Sequence, residues 1–458
     1  MSPSTASCTP TAPKEPREAN RRPAEPARHA HRRHRHRRVR RHRRADRRPG
    51  VPAGRGHPRR ARRLPRAGRC VRAGHARRPG HPHRGEHRQG PDDQGVHLHR
   101  GQLPTRPVLD QLPQLRPVRR QGALAPVTAR LAASASLHEQ DFYPQAMGAF
   151  RWQGEQMCLP QNISSLAVYY NRTLFKQYEV AEPAAGWHWN DLVATAQALT
   201  RDAGGRTVRA GEPETAGTPV AVHGLGIAPE LIRMAPLIWS NGGDIVDDPN
   251  APTRLTLDTP QAREVMQDFL ELPRIGVVPS DVEVEAQDYE ARFAAGKLAM
   301  FVSSRRVTTA FRAITGFEWD VAPLPQYRAP ANILHSDAYC MTRTSANQDA
   351  AWRFLEYALS DPGATLMAKT GRTVPSRISV ATSAAFLSPG TPPGRSQIFL
   401  DTIPALRPVP TIATWPEIED ATGKVLENAF FHGDPLDKVI RDLDAATRTV
   451  FERGAASR

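Results

Sequence analysis

The sequence predicts an α/β fold of two domains after about residue 121, preceded by a long segment that has no hydrophobic core. All 29 aromatic residues lie after Asp141. The first 120 residues carry 33 Lys and Arg against 8 Asp and Glu, whereas the remaining chain is acidic overall. In that remaining part, segments typical of strands and helices alternate, which indicates layered strands and helices. Its length is sufficient for two domains.

The basic segment, residues 1–120, consists mainly of Arg, His, Pro, Gly and Ala. Of the 21 residues from Arg28 to Arg48, 17 are Arg or His. Such a segment cannot bury enough apolar area to offset an ordering entropy of about 1–2 kcal/mol per residue, so we expect it to be disordered. It contains no apolar run of the length that a secretory signal or a membrane span requires.

Three interpretations of the basic segment stay open. It is an arginine-rich tail that binds nucleic acid, an inert low-complexity extension, or the product of a GC-rich gene translated out of frame. A shifted frame converts GC-rich codons into codons for Arg, Pro, Ala, Gly and His, which is the composition observed. We favour the frame shift, and nucleic-acid binding is disfavoured because no aromatic residue is available for base stacking.

The elements after residue 121 are predicted from short apolar runs, which indicate buried strands, and from apolar residues three or four positions apart, which indicate helices. Asn190 is the expected N-cap of one helix, and Gly242-Gly243 ends another. In chain order we expect the strand Ile163–Tyr170, the helices Asn171–Tyr178, Trp189–Leu199, Leu231–Ser240, Gln261–Leu272 and Tyr289–Ala295, the strands Leu298–Val302 and Trp319–Pro323, and the helices Asp349–Ser360 and Asp437–Phe451.

Cys158 and Cys340 are the only cysteines after residue 121. Neither stands in a CxxC or other metal-binding spacing, so the sequence supports neither a disulfide framework nor a zinc site. We interpret both residues as isolated, small apolar side chains.

Eight short motifs follow one another between residues 159 and 375. They are Leu159-Pro160, Tyr169-Tyr170-Asn171-Arg172-x-Leu174-Phe175, Trp189-x-Asp191-Leu192, Asn241-Gly242-Gly243, Phe293-x-x-Gly296-Lys297-x-Ala299-Met300, Trp319-Asp320-Val321-Ala322-Pro323-Leu324-Pro325, Ala351-Trp352-x-Phe354-Leu355 and Gly371-Arg372-x-Val374-Pro375. Each motif alone is weak. In this order, the chain resembles the family 1 extracellular solute-binding proteins of ABC sugar importers, the group that includes maltose-binding protein.

The resemblance implies a two-lobe, periplasmic-binding-protein-like fold with crossings between the lobes near Ile163–Ala167, Ala299–Val302 and His335–Met341. It assigns residues 121–167 and 300–335 to a remnant of the N-terminal lobe, and residues 168–299 and 336–458 to the C-terminal lobe. The N-terminal lobe is expected to be incomplete, because residues 1–120 show neither a signal peptide nor the first strands of that lobe. An extracytoplasmic location in a bacterium, periplasmic or as a cell-surface lipoprotein, is also implied.

The resemblance further implies a carbohydrate ligand, an oligosaccharide or related polyol, in the cleft between the lobes. Sugar sites combine aromatic faces with planar polar groups that bind hydroxyls in pairs. For Glu230 and the adjacent Arg305 and Arg306, the alternative to ligand binding is a solvated surface position. For Trp239 and Trp415, the alternative is core packing. If the two arginines bind the ligand, they favour an anionic or highly hydroxylated one. The candidate ligand-binding residues are Asn162, Glu230, Trp239, Arg305, Arg306, Asp337, Tyr339, Arg372 and Trp415.

The predicted function is a non-enzymatic binding subunit that closes around a carbohydrate and delivers it to the permease subunits of an ABC transporter. No cofactor, metal or nucleic-acid partner is expected, and membrane contact is expected only through the permease or a lost lipid anchor. Phosphate-loop, dinucleotide-binding, GxSxG and HExxH motifs are absent from the sequence, so catalysis has little support. The alternatives are a glycan-active enzyme that uses Glu230 and Asp337 as its carboxylate pair, or nucleic-acid binding by the basic tail.

Overall fold

The computed structural model describes residues 122–210 and 217–456, together with the backbone of the strand Val108–Gln111. The choice among the three interpretations of the basic segment lies outside the described residues. Val108–Gln111, however, belongs to the stretch that is expected to be disordered. These four residues pair with Asp337–Cys340 as a strand.

The strands and helices of the described residues have the following bounds. In chain order the strands are β1 Val108–Gln111, β2 Leu124–Ala125, β3 Arg151–Trp152, β4 Glu155–Gln156, β5 Cys158–Pro160, β6 Leu166–Asn171, β7 His223–Gly226, β8 Leu298–Ser304, β9 Trp319–Ala322, β10 Asn332–Ile333, β11 Asp337–Thr342 and β12 Leu406–Arg407. The α-helices are Thr128–Ala133, Pro144–Ala149, Arg172–Gln177, Trp189–Leu199, Leu231–Ser240, Pro260–Glu271, Asp281–Ala286, Tyr289–Ala294, Thr308–Phe311, Gln348–Leu359, Asp361–Lys369, Ile378–Ala381, Ala384–Leu387, Ile398–Asp401, Trp415–His432 and Leu436–Ala456.

The second lobe is built on a sheet with the strand order β7-β8-β6-β9. Successive residues of a strand point to opposite faces of its sheet. Accordingly, Leu166, Val168 and Tyr170 of β6 pack into one core, and Ala167 and Tyr169 pack into another. The first of these cores is covered by the helices Trp189–Leu199, Leu231–Ser240, Pro260–Glu271, Trp415–His432 and Leu436–Ala456. The predicted α/β layering is confirmed in this lobe.

The first lobe is built around β11, which pairs antiparallel with β1, β5 and β2. The helix Gln348–Leu359 packs on this sheet and buries Trp352 and Leu355. The same core contains Leu131 of the helix Thr128–Ala133 and Met341 of β11. Chain segments more than 200 residues apart in sequence therefore form one small lobe.

A disulfide bond joins Cys158 of β5 to Cys340 of β11, across a sequence separation of 182 residues. The two residues lie directly opposite each other in the antiparallel register, and both are fully buried. The interpretation of two isolated apolar side chains is therefore wrong. Cysteine spacing could not reveal the bond, because the pairing of β5 with β11 is a property of the fold and not of local sequence.

Three chain segments lie side by side between the lobes, and we call them the crossing ribbon: residues 161–165, 332–336 and 406–412. Ser164 and His335 exchange backbone hydrogen bonds of 2.7 and 2.9 Å. β10 and β12 pair in parallel, and the backbone N–H of Leu334 donates to the carbonyl of Arg407 at 2.9 Å. The ribbon thus connects β5 to β6, β9 to β11, and the first lobe to the helix Trp415–His432.

Asn332 fastens the crossing ribbon to the sheet of the second lobe. Its Oδ1 accepts hydrogen bonds from the backbone N–H groups of Leu166 at 3.1 Å and Ile333 at 2.8 Å. Its Nδ2 donates to the carbonyl of Leu166 at 2.9 Å. Asn332 is almost completely buried, so no water replaces these bonds if its amide is removed.

Three expectations about the crossings and the lobes differ from the structure. Ala299–Val302 lies inside β8, an interior strand of the second lobe, and is not a crossing. Residues 300–335 are expected in the N-terminal lobe, but β8 and β9 pair with β6 in the second lobe. The helix Gln348–Leu359 is expected in the C-terminal lobe, but it packs in the first lobe. A local apolar pattern identifies a buried strand or helix without identifying the elements that pack against it, and this explains the three differences.

Replacing Asn332 with Ala is expected to lower the free energy of unfolding by about 2–4 kcal/mol, because both backbone polar groups of Leu166 lose a buried partner. Chemical denaturation of the full chain measures this difference. Asn347→Ala is the matched control, since Asn347 is exposed and its side chain makes no capping hydrogen bond. Equal stability losses in the two variants would contradict the role assigned to Asn332.

Removing the disulfide with Cys158→Ala and Cys340→Ala together is expected to destabilise the chain by about 2–4 kcal/mol, since the unfolded chain gains freedom. Reducing the parent protein should produce a similar loss, and the same reductant should leave the double variant unchanged. Peptide mapping without reduction tests the bond itself. Recovery of both cysteines as free thiols from freshly prepared protein would refute it.

Candidate functional site

A group of charged side chains lies where the second lobe meets the crossing ribbon. Glu230 is the N-cap residue of the helix Leu231–Ser240, and Arg233 follows in its first turn, 3.4 Å from the Glu230 carboxylate. Arg306 follows the end of β8, and His335 lies on the crossing ribbon. Glu419 lies in the helix Trp415–His432, which follows the last segment of the ribbon. We call these five residues the charged cluster.

Arg233 is a member of this cluster that is not among the predicted site residues. Its side chain is 13% exposed, and its Nε and Nη1 atoms are buried without a hydrogen bond to any described residue. Burial lowers the pKa of Arg233; Glu230 and Glu419 act to raise it, and Arg306 lowers it further. The sequence does contain a signal for this residue, because Arg233 is the single charged residue in an otherwise apolar helix.

His335 was likewise not predicted as a site residue. Burial, assisted by the positive charge of Arg233, lowers the pKa of His335 to about 3. The imidazole is therefore neutral at physiological pH, and it adds hydrogen-bonding atoms but no charge to the cluster.

Glu419 is held in place by Trp415. The indole N–H of Trp415 donates to Oε1 of Glu419 at 2.8 Å, and Trp415 is fully buried. Trp415 therefore has no exposed face for a ligand, and the alternative of core packing describes its position. Burial raises the pKa of Glu419 to about 7; the Trp415 hydrogen bond and Arg233 oppose this, while Glu230 and Asp420 reinforce it.

The two adjacent arginines have different surroundings. Arg305 is fully buried, and its Nε and Nη1 donate to the carbonyl of Gly371 and to Oγ of Ser396, both at 3.1 Å. Its guanidinium also lies over the rings of Phe386 and Phe399. These contacts place Arg305 in the interior without surface for a ligand. Arg306 is exposed and pairs with Glu290 at 3.3 Å.

A second polar group lies on the first-lobe side of the ribbon. Nδ2 of Asn162 donates to Oδ2 of Asp337 at 2.6 Å, and the backbone N–H of Asp337 donates to Oδ1 of Asn162 at 3.2 Å. Burial raises the pKa of Asp337, whereas the bond from Asn162 and the charge of Arg372 lower it. Arg372 is exposed, and Tyr339 is partly buried with its ring edge-on to that of Phe354. We call Asn162 and Asp337 the amide–carboxylate pair.

Trp239 does not lie in either group. A rise of about 1.5 Å per residue places it about 9 Å along the helix axis from Arg233. Its indole N–H donates to Oδ1 of Asp244 at 3.0 Å, and the guanidinium of Arg407 covers its ring at 4.8 Å. Trp239, Asp244 and Arg407 line a separate cavity of about 420 Å³. Of the predicted residues, Glu230 and Arg306 lie in the charged cluster, and Asn162, Asp337 and Arg372 lie near one another at the first-lobe end of the ribbon.

Residues 122–210 and 217–456 contain neither a metal-binding cluster nor a membrane-spanning helix. No three His, Cys, Asp or Glu side chains are arranged there to hold a metal ion. Among the helices of the same ranges, none is long and apolar enough to cross a membrane.

One family profile matches more than half of the chain. The sequence profile described as bacterial extracellular solute-binding protein matches residues 96–390, so the match begins inside the basic segment. A binding protein of Brucella abortus is 22% identical over 304 residues, which are 66% of this chain and 69% of the relative.

Solved structures show the same fold at low sequence identity. An ABC substrate-binding protein from Listeria monocytogenes, in complex with cycloalternan, matches with a TM-score of 0.66 at 20% identity and covers 75% of this chain and 84% of its own. Maltose-bound MalE3 of Thermotoga maritima matches with a TM-score of 0.62 at 17% identity and covers 76% and 85%. The predicted two-lobe fold is confirmed by these matches.

The raised pKa of Glu419 has a consequence for stability. A carboxyl group whose pKa is higher in the folded than in the unfolded state stabilises the fold below its unfolded pKa, and this contribution is lost as pH rises through about 7. Glu419→Gln removes this proton linkage. Its stability relative to the parent should therefore rise between about pH 5 and pH 8, by up to about 3 kcal/mol.

Denaturation of the parent and of Glu419→Gln at both pH values measures how their difference in stability changes with pH. The contribution of His335 is common to both proteins and cancels in this comparison. Glu427→Gln, an exposed position on the same helix, is the control and should show no such change. A pH-independent difference between the parent and Glu419→Gln would show that Glu419 has an ordinary pKa.

Proposed function

Because the chain belongs to the bacterial extracellular solute-binding proteins, we propose that it is the carbohydrate-binding subunit of an ABC importer. It binds an oligosaccharide or related polyol in the cleft between its lobes and delivers it to the membrane permease, without catalysing a reaction. The observation that carries the proposal is that the amide–carboxylate pair lies at the first-lobe end of the crossing ribbon, while Glu230 and Arg233 of the charged cluster belong to a helix of the second lobe.

The two groups supply the chemistry that a sugar requires. Carboxylates accept hydrogen bonds from hydroxyl groups, and planar guanidinium groups donate to neighbouring oxygens in pairs. Asp337 has one oxygen held by Asn162 at 2.6 Å, so its other oxygen is oriented for a ligand hydroxyl. Glu419 is oriented in the same way by Trp415. Fixed carboxylates lose little conformational entropy when a ligand binds.

Binding is coupled to lobe closure in this proposal. The ribbon consists of three short, mutually hydrogen-bonded segments, and the larger secondary-structure elements lie on either side of it. Hinge closure requires only small backbone changes in such connecting segments. A ligand that contacts both polar groups stabilises the closed arrangement, because it has partners in both lobes.

An extracytoplasmic location also follows from the family and is consistent with the disulfide between Cys158 and Cys340. Disulfide bonds form and persist in oxidising compartments such as the periplasm and the cell surface. The similar structures from Listeria and Thermotoga were solved with cycloalternan and with maltose, and this supports a sugar as the ligand class.

Replacing Asp337 with Ala is expected to weaken binding of the sugar about tenfold or more, because a charge-assisted hydrogen bond is worth about 1.5–3 kcal/mol. Isothermal titration of the full chain against a panel of oligosaccharides measures the effect. Asp349→Ala is the matched control, because Asp349 is an exposed carboxylate of the same lobe. Parent-like binding by a folded Asp337→Ala protein would exclude Asp337 from the site.

The same panel separates binding from catalysis. Chromatography of each sugar after prolonged incubation with the chain should return it unchanged. Consumption of a sugar that is abolished by Glu230→Gln or Asp337→Asn would instead favour a glycan-active enzyme.

A further inference from the structure

We propose that Arg233 selects solutes that carry an oxyanion, so that the ligand is a sugar or polyol bearing a carboxylate or phosphate group. This inference rests on the proposed function and narrows its ligand class.

The first argument is the state of the Arg233 guanidinium. Its Nε and Nη1 are buried, and neither donates a hydrogen bond to any described residue. Buried polar groups are almost always hydrogen-bonded, and buried N–H donors that lack an acceptor are unfavourable. An acceptor atom of the ligand satisfies these N–H donors and removes the free-energy cost of burying them unsatisfied. Without such a ligand the cost remains.

The second argument is that the neighbouring groups do not neutralise Arg233. The Glu230 carboxylate is 48% exposed and lies 3.4 Å from Nε, outside hydrogen-bond geometry, so water screens this pair. Arg306 adds a second positive charge nearby. His335 is neutral, and Glu419 is partly protonated at neutral pH. Among these neighbours, no buried and fully ionised carboxylate therefore balances the charge of Arg233.

The third argument is geometric. A guanidinium presents its N–H donors as a rigid fork, which matches the two oxygens of a carboxylate or phosphate better than it matches a single hydroxyl. Arg233 lies in the first turn of its helix, and its charge acts on His335 of the crossing ribbon. The fork therefore lies beside the ribbon, at the side of the cleft formed by the second lobe.

Matched sugar series test this proposal with the full chain. Glucose is compared with glucuronate and glucose 6-phosphate, and glycerol with glycerol 3-phosphate, by isothermal titration at one fixed salt concentration. An anionic member should bind about tenfold or more tightly than its neutral counterpart. Preference for the carboxylate or for the phosphate identifies which oxyanion the site takes.

Variants assign the preference to Arg233. Arg233→Gln should abolish the preference, and Arg233→Lys should retain part of it, because Lys keeps the charge and loses the fork. Arg274→Gln, which removes an exposed arginine of the same lobe, should bind like the parent. Thermal denaturation provides a second measurement: Arg233→Gln should not lower the melting temperature, since it removes a buried charge whose N–H donors lack acceptors and whose ion pair with Glu230 is half exposed.

Three results would overturn the inference. Neutral sugars that bind as tightly as their anionic counterparts would refute the preference for an oxyanion and leave the proposed function intact. Undiminished preference in Arg233→Gln would assign the oxyanion to another residue, and a large stability loss in that variant would make Arg233 structural. Failure of every neutral and anionic member to bind the parent, together with failure of the oligosaccharide panel, would refute the proposed function as well.

Discussion

The paired backbones of Ser164 and His335 determine how the rest of this molecule is arranged. Their two hydrogen bonds align the segment that leaves β5 with the segment that enters β11, and β10 adds β12 to the same ribbon. Asn162 and Asp337 lie at the first-lobe end of this ribbon, and His335 of the charged cluster is itself a ribbon residue, whereas Glu230 and Arg233 reach it from a helix of the second lobe. Asn332 extends this constraint into β6. The position of the site is thus a consequence of backbone pairing.

Two buried ionisable side chains beside the ribbon, one basic and one acidic, lie in surroundings that disfavour their charged forms. Arg233 is a buried cation whose Nε and Nη1 donate no hydrogen bond to any described residue, and Glu419 is a buried acid whose charged form is disfavoured by burial and by Glu230. Neither problem is resolved by direct pairing of the two groups within the described residues. A site that is incompletely satisfied when empty has interaction energy available for a ligand, which is the general reason why perturbed groups concentrate at binding sites.

Much of this arrangement could be predicted from the sequence, and particular residues show where prediction ends. The apolar stripe of the helix Leu231–Ser240 and the run in β8 gave correct elements, because local periodicity reports burial. Partners across long sequence separations could not be predicted. Local patterns did not reveal that β8 pairs with β6, that Cys158 is bonded to Cys340, or that Trp415 turns its indole toward Glu419. Arg305 and Arg306 are adjacent in sequence, and only packing distinguishes the buried from the exposed one.

The central claim is that a solute binds between the lobes, against the crossing ribbon. Hydrogen–deuterium exchange of the full chain, with and without a saturating sugar ligand, tests it most directly. Protection should increase together in three separate segments, around residues 230–235, 335–339 and 415–420, because one ligand contacts both sides of the ribbon. Protection confined to the cavity beside Trp239, or no change in any of the three segments, would contradict the account.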